Sequence, residues 1–178
     1  MSNSTSTSVF RSTKTWMWQG FPICYQTQGT NGSAVVLIHG FGASLGHWRK
    51  NIPALADNCR VYAIDLIGFG ASAKPKPGEE IAYTFETWGQ LIADFCRQVV
   101  GESAFLVGNS IGCIVAMQAA VDNPEIALGV AQLNCSLRLL HERKQADLPY
   151  YRRVGAPILQ RILSIGSIGE FFFNQIAK

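Results

Sequence analysis

The 178-residue chain has no run of about 18 consecutive apolar residues, so no membrane-spanning helix is expected. It has no Cys-x-x-Cys pair, and its three histidines (His39, His47 and His141) are scattered without ligand spacing, so no metal site is expected. The cysteines are odd in number: Cys24, Cys59, Cys96, Cys113 and Cys135. Most lie within apolar stretches and read as reduced core residues of a reducing compartment, which makes the cytoplasm the expected location. The first fifteen residues lack the apolar core of a secretory signal. They are rich in Ser and Thr, lack acids and carry Arg11 and Lys14. That composition reads as a disordered leader, with a transit peptide as the alternative.

Charge is unevenly placed. Residues 1–135 carry 8 basic and 9 acidic groups, while residues 136–178 carry 7 basic and 3 acidic groups. The net +3 therefore comes from the last segment. Its basic residues are not interleaved with stacking aromatics on a strand platform, so no nucleic-acid partner is expected. Contact with an anionic membrane surface has only that diffuse charge behind it.

Apolar residues make up 48% of the sequence, enough for one domain with a core. Residues 16–28 read as a strand pair around a Gly-Phe-Pro turn. The run AVVLI (34–38) is a strand buried on both faces. Leu45, Trp48, Ile52 and Leu55 recur at helical spacing, with Pro53 expected to divide that helix. RVYAI (60–64) is the next strand, followed by a long loop through Gly78. Thr84 caps a helix whose apolar stripe runs from Phe85 to Val99. A strand at 104–107, a helix at 111–121 and a strand at 126–133 follow. This alternation predicts an α/β fold with a doubly wound, mostly parallel sheet. After Ser136 the pattern becomes helical only. The expected organisation is a leader (1–15), a core (16–136) and a helical segment (137–178).

Gly108-Asn109-Ser110-Ile111-Gly112 matches G-x-S-x-G. In such a turn between strand and helix the serine is exposed above the sheet, and larger residues two before or two after it would collide. The helix starting at Ile111 would direct its N-terminal N–H groups at the same place. Gly42-Ala43-Ser44-Leu45-Gly46 matches too, but Ser44 lies deep in a loop and reads as a helix N-cap. Gly40-Phe41-Gly42, with Asp65 ending the next strand, imitates a dinucleotide-binding fingerprint. Leu45 at its third glycine position speaks against that reading, and no cofactor is expected.

Three motifs stand in order: HGFG (39–42), DLIGFGAS (65–72) and GNSIG (108–112). Together, each behind a strand, they resemble the α/β-hydrolase family from about Trp16 to Ser136. The elbow GNSIG, the LNCS after the following strand and HGFGAS with HW resemble cyanobacterial and chloroplast hydrolases related to pheophytinase. The resemblance implies that Ser110 is a nucleophile forming an acyl-enzyme. It implies an oxyanion hole from the backbone N–H groups of Phe41 and Ile111. His39 and Gly40 would shape the first loop, Asp65 would hold the second, Gly108 and Gly112 would form the elbow, and Trp48 would line the pocket. It makes 137–178 the start of a helical cap, with the remaining core past Lys178; the substrate implied is a small molecule, a bulky apolar ester of the phytyl type, and the location a chloroplast if the source is a plant. The resemblance says nothing of oligomeric state.

The family order is serine, acid, then histidine. After Ser110 the sequence offers only His141, placed where the cap should start. Asn134-Cys135-Ser136 supplies no carboxylate after its strand, and Glu142 and Asp147 read as cap surface. The acid and histidine of the triad are therefore expected outside this sequence, and the chain by itself is expected to be inactive and prone to associate through an exposed sheet edge. Loss of triad members typically costs about 10⁴–10⁶ in turnover. The alternatives are a non-catalytic binding protein on the same fold, or a C–C hydrolase or cofactor-free haloperoxidase using the same serine. Epoxide and haloalkane hydrolysis would need a carboxylate where Ser110 stands.

Overall fold

The computed structural model describes residues 13–135. The segment read as the start of a cap, from 137 onward, lies outside the described residues, as do residues 1–12. Strand β1 (Lys14–Trp18) begins inside the segment expected to be a leader and pairs antiparallel with β2 (Phe21–Gln28). Their turn is Gln19-Gly20, both at positive φ (50° and 84°), not the expected Gly-Phe-Pro. Two such residues match the twist of a tight hairpin, which leaves Phe21 and Pro22 free to start β2.

The parallel part follows: β3 (Ala34–Ile38), β4 (Arg60–Ile64), β5 (Ala104–Asn109) and β6 (Ala127–Leu133). The sheet order is β1-β2-β4-β3-β5-β6, with β2 antiparallel to β4 and β3 to β6 parallel to their neighbours. Among the described residues the α-helices are α1 (Asn51–Ala56), α2 (Phe85–Phe95) and α3 (Ile111–Asp122).

Strand β3 is buried throughout, as its unbroken apolar run requires. Ala34, Val36 and Ile38 face the larger core with Leu91, Ile92 and Phe95 of α2 and Val115, Ala116 and Ala119 of α3. Val35 and Leu37 face the other side, with Ile52 of α1, Trp48, Val61 and Ala63. Helices thus cover both faces. Between α2 and α3 the approach is close: a Cβ added at Gly89 would stand 3.2 Å from the Ala119 nitrogen.

The apolar spacing over 45–55 resolves into a 3-10 turn (Leu45–Trp48) and α1. The break falls at Arg49 and Lys50, not at Pro53. Pro53 occupies the first turn of α1, where backbone N–H groups have no partner inside the helix and a missing one costs little. Helix α2 runs on through a wider π turn (Cys96–Val100), closed by Gly101 at φ 79°, whose N–H donates to the Cys96 carbonyl at 2.8 Å. Among the described residues β6 is paired on one side only, and Leu128, Val130 and Leu133 are exposed along it.

Three of the four indoles have hydrogen-bond partners: Trp16 with Gln98, Trp18 with Asp94, and Trp88 with the Ile67 carbonyl. The Trp48 ring is buried, and among the described residues its Nε1 has no acceptor. An unpaired buried donor costs about 1–3 kcal/mol. Trp48→Phe removes that donor while keeping most of the ring, so its midpoint in urea should stay within about 1 kcal/mol of the parent. Trp48→Ala leaves a cavity and should lose about 3–5 kcal/mol.

Candidate active site

Strand β3 sends its crossover through α1 to β4 on one side, and β5 lies on its other side. The sheet order therefore reverses between the ends of β3 and β5, the place where open α/β sheets leave a crevice for ligands. Two loops meet there. Gly40 follows β3 and Ser110 follows β5, and a Cβ added at Gly40 would stand 3.1 Å from the Ser110 Cβ. Ile38 and Gly108 are register partners in the adjoining strands, so the two loops leave the sheet at the same level.

Ser110 has φ 56° and ψ −117°, a backbone state costing about 1–3 kcal/mol in a residue with a side chain. Packing on both sides holds it there. A Cβ at Gly108 would press on the Gly112 backbone and lie 2.5 Å from the Cys113 nitrogen. A Cβ at Gly112 would meet the Ile38 and His39 carbonyls, 2.6 Å from the second. The two glycines let strand β5, helix α3 and the end of β3 touch backbone to backbone. The Ser110 N–H donates to the Leu133 carbonyl at 3.0 Å, and the Ser110 carbonyl accepts from the Cys113 N–H at 3.1 Å. The residue is tied to β6 on one side and to the first turn of α3 on the other. With Ser110 as its N-cap, α3 presents the positive end of its dipole at the serine, and the Ile111 N–H is its first donor.

The first loop turns at once: the Ala43 N–H donates to the Gly40 carbonyl at 3.2 Å, and Gly42 takes φ 68°. Phe41 sits in this turn, the residue 66% exposed and its ring edge-on to Phe69 at 5.6 Å. Ser44 caps the following 3-10 turn, accepting from the Gly46 N–H at 3.3 Å. That cap accounts for the second G-x-S-x-G match.

His39 is fully buried. Its Nδ1 lies 2.8 Å from the Gly40 carbonyl, and its Nε2 accepts from the Leu66 N–H at 3.1 Å. That pairing defines a neutral imidazole with the proton on Nδ1. Both ring nitrogens are engaged in joining the β3 loop to the β4 loop, so His39 does not serve Ser110 as a base. Burial holds its pKa below the usual histidine value, against the opposing pull of the Gly40 carbonyl and Asp65.

Asp65 directly follows β4 and is buried. One carboxylate oxygen accepts from the Leu45 N–H at 2.5 Å and the other from the Ala71 N–H at 2.7 Å. The Ser72 hydroxyl donates to the Asp65 carbonyl and accepts from the Cys24 N–H. With both oxygens spent on loop backbone, Asp65 has no role as a ribose-binding acid. Trp48 packs in the α1 core with Leu37, Ile52, Val61 and Ala63 and is 2% exposed. A ring so enclosed is core, not the pocket wall expected of it; its exposed neighbour is His47, edge-on at 4.9 Å. His141 lies outside the described residues.

Sequence reading missed how β6 closes the site. The Leu133 carbonyl takes the Ser110 N–H, and Asn134, at φ 51°, reaches the Asn109 side chain at 3.5 Å. Only the asparagine itself, a residue tolerant of positive φ, signalled that turn.

The family model for the alpha/beta hydrolase fold matches residues 33–151, two thirds of the chain. The chain belongs to the α/β-hydrolase family. One relative is the dihydrolipoyllysine-residue acetyltransferase component of the acetoin cleaving system of Cupriavidus necator, 38% identical over 112 residues, which are 63% of this chain and 29% of the relative. Another is the chloroplastic pheophytinase of Arabidopsis thaliana, 27% identical over 130 residues, with 58% and 27% covered. Among solved structures, a bacterial membrane phospholipase A superposes with a TM-score of 0.65 at 30% identity, over 70% of this chain and 39% of that one. The chain thus spans under a third of the length of these two curated relatives.

Two outcomes test this geometry. His39 is held neutral by folding, so its folded pKa lies below its unfolded one. The stability tied to it is complete above the unfolded value of about 6.5 and is lost as pH falls below that towards the folded value. Urea midpoints should be level from pH 8 to 7 and fall from pH 6.5 to 5, and His39→Gln should flatten that fall from a lower starting stability. Asp65→Ala leaves the Leu45 and Ala71 N–H groups without their charged acceptor and should cost about 3 kcal/mol by the same measurement.

Proposed function

We propose that the protein hydrolyses carboxylic esters through an acyl-enzyme on Ser110. The observation carrying this reading is the serine's strained backbone at the N-terminus of α3, beside the Gly40 turn. In the proposed reaction the Ser110 hydroxyl loses its proton to a base as its oxygen adds to the ester carbonyl. The carbonyl oxygen becomes an oxyanion between the backbone N–H groups of Phe41 and Ile111. Collapse expels the alcohol and leaves the acyl group on Ser110, and water then releases the acid and restores the hydroxyl. The base and its acid belong outside the described residues, since His39 has both ring nitrogens engaged and Asp65 both carboxylate oxygens.

An apolar ester fits best. Phe41 places an exposed aromatic ring on the oxyanion turn, edge-on to Phe69, where a hydrocarbon chain could lie. The similarity to pheophytinase supports a bulky alcohol of the phytyl type. A location in a reducing compartment, cytoplasm or chloroplast, agrees with the free cysteines.

A fluorophosphonate probe, applied to a protein carrying this chain, should label Ser110 and leave Ser110→Ala unlabelled. Release of p-nitrophenol from long-chain acyl esters should fall at least 10³-fold in the same variant. Labelling without ester turnover would move the reading to another serine-dependent reaction of the fold, such as C–C hydrolysis. No labelling and no turnover would leave a non-catalytic binding protein.

A further inference from the structure

Asn109 stands between the elbow glycine and Ser110 and takes no part in the reaction described above. It is the last residue of β5, level with Leu133 of β6, and half-buried. Its side chain lies against the turn that follows β3. A Cβ added at Gly40 would stand 3.3 Å from the Asn109 Nδ2 and 3.1 Å from the Ser110 Cβ. The amide nitrogen and the serine thus border one point, next to Phe41. Asn134, at φ 51°, donates from its Nδ2 to the Asn109 Oδ1 at 3.5 Å. That contact takes the acceptor end of the Asn109 amide and leaves the donor end towards Gly40. Among the described residues the Asn109 Nδ2 donates to no acceptor, yet it is not sealed from solvent as the Trp48 Nε1 is.

We propose that the Asn109 amide is a substrate-binding donor that selects esters carrying a second acceptor oxygen, a ketone or an ether, close to the scissile carbonyl. This rests on Ser110 being the residue that is acylated. Because Ser110 and the Asn109 Nδ2 border one point, an oxygen within hydrogen-bond range of Nδ2 belongs about three or four bonds along the substrate from the carbonyl carbon that joins Ser110. The neutral amide nitrogen carries two protons and no lone pair to offer, so it takes an oxygen acceptor and not a substrate N–H.

Selection follows from what covers the donor. A donor that solvent reaches is paired with water until a substrate lies over it. A plain hydrocarbon at that place displaces the water and leaves the N–H without a partner, which is costly. An ester with an oxygen there restores the bond. A site arranged around a hydrogen bond rejects the analogue that lacks the partner more strongly than an apolar pocket rejects a missing methylene. The exposed Phe41 ring, one residue past Gly40, receives the hydrocarbon part of the same substrate. Asn134 acts through Asn109: by holding Oδ1 it keeps the amide from turning its acceptor end to the substrate.

The test uses a protein carrying this chain and compares two ester pairs by titrating the released acid at constant pH. Ethyl 3-oxooctanoate against ethyl octanoate puts the extra oxygen on the acyl side. The pair 2-methoxyethyl octanoate and butyl octanoate puts it on the alcohol side. For each pair the quotient of kcat/KM is taken in the parent and in Asn109→Leu, so that differences in intrinsic reactivity cancel. In at least one pair the quotient should fall about tenfold in the variant, and that pair shows which side of the ester meets Asn109. Asn109→Asp keeps the shape of the side chain and replaces the donor with a carboxylate. Its quotient in that pair should fall at least as far, and it decides the point if the leucine variant does not fold. A side chain that only held the turn would lower turnover of all four esters alike and leave both quotients unchanged. Unchanged quotients in both pairs, with Ser110 still labelled by a fluorophosphonate, overturn the proposal and leave the ester reading standing. No labelling and no turnover of any ester removes both.

Discussion

The site depends on one close approach, that of the Gly112 backbone to the carbonyls of Ile38 and His39. No side chain fits in that gap. Because the gap is closed, α3 starts against the end of β3 instead of above it, and Ser110 is held in a state that an unconstrained serine would leave. The strain is small beside the packing that opposes it. Leu91, Ile92 and Phe95 bury their side chains completely on the same face, each worth about 1.5–3 kcal/mol. The strained residue is over-determined from three directions: by the strand before it, the helix after it and the Leu133 carbonyl beside it.

The loops around the serine are rigid for a related reason. Each is tied through a buried polar side chain that bonds backbone groups. His39 serves the β4 loop, Asp65 serves both the β3 and β4 loops, and Ser72 ties the β4 loop to β2. A buried polar group without partners is costly, so each of these side chains fixes its loop in one arrangement. Preorganised loops let backbone N–H groups stabilise developing charge without rearranging when it appears.

Much of this was legible in the sequence because the fold punctuates itself. The apolar run 34–38 and the stripe from Phe85 to Val99 each follow a single period, and the two elbow glycines mark the turn. What was not legible depended on tertiary contacts. Nothing in Leu45-Gly46-His47-Trp48 says that its helix stops at Arg49, since the stop follows from how the turn packs on Val61 and Ala63. The resemblance made Trp48 a pocket residue, but its ring, at the end of the 3-10 turn, packs into the α1 core. The bond from the Ser110 N–H to the Leu133 carbonyl has no local signature at all. It arises because β6 lies beside β5, and that placement is a property of the sheet.

Histidine is where sequence and geometry come closest to misleading each other. His39 sits one residue before the Gly40 turn that adjoins Ser110, and its pKa is shifted, which are the marks of a catalytic base. The direction of the shift and the partners decide otherwise. A base must have a nitrogen free to take a proton from the serine, whereas the Nε2 of His39 already accepts from the Leu66 N–H. Protonating it would break that bond and place a charge in the core. The same neutral ring that excludes catalysis is what joins the two loops, so the shift reports a structural histidine.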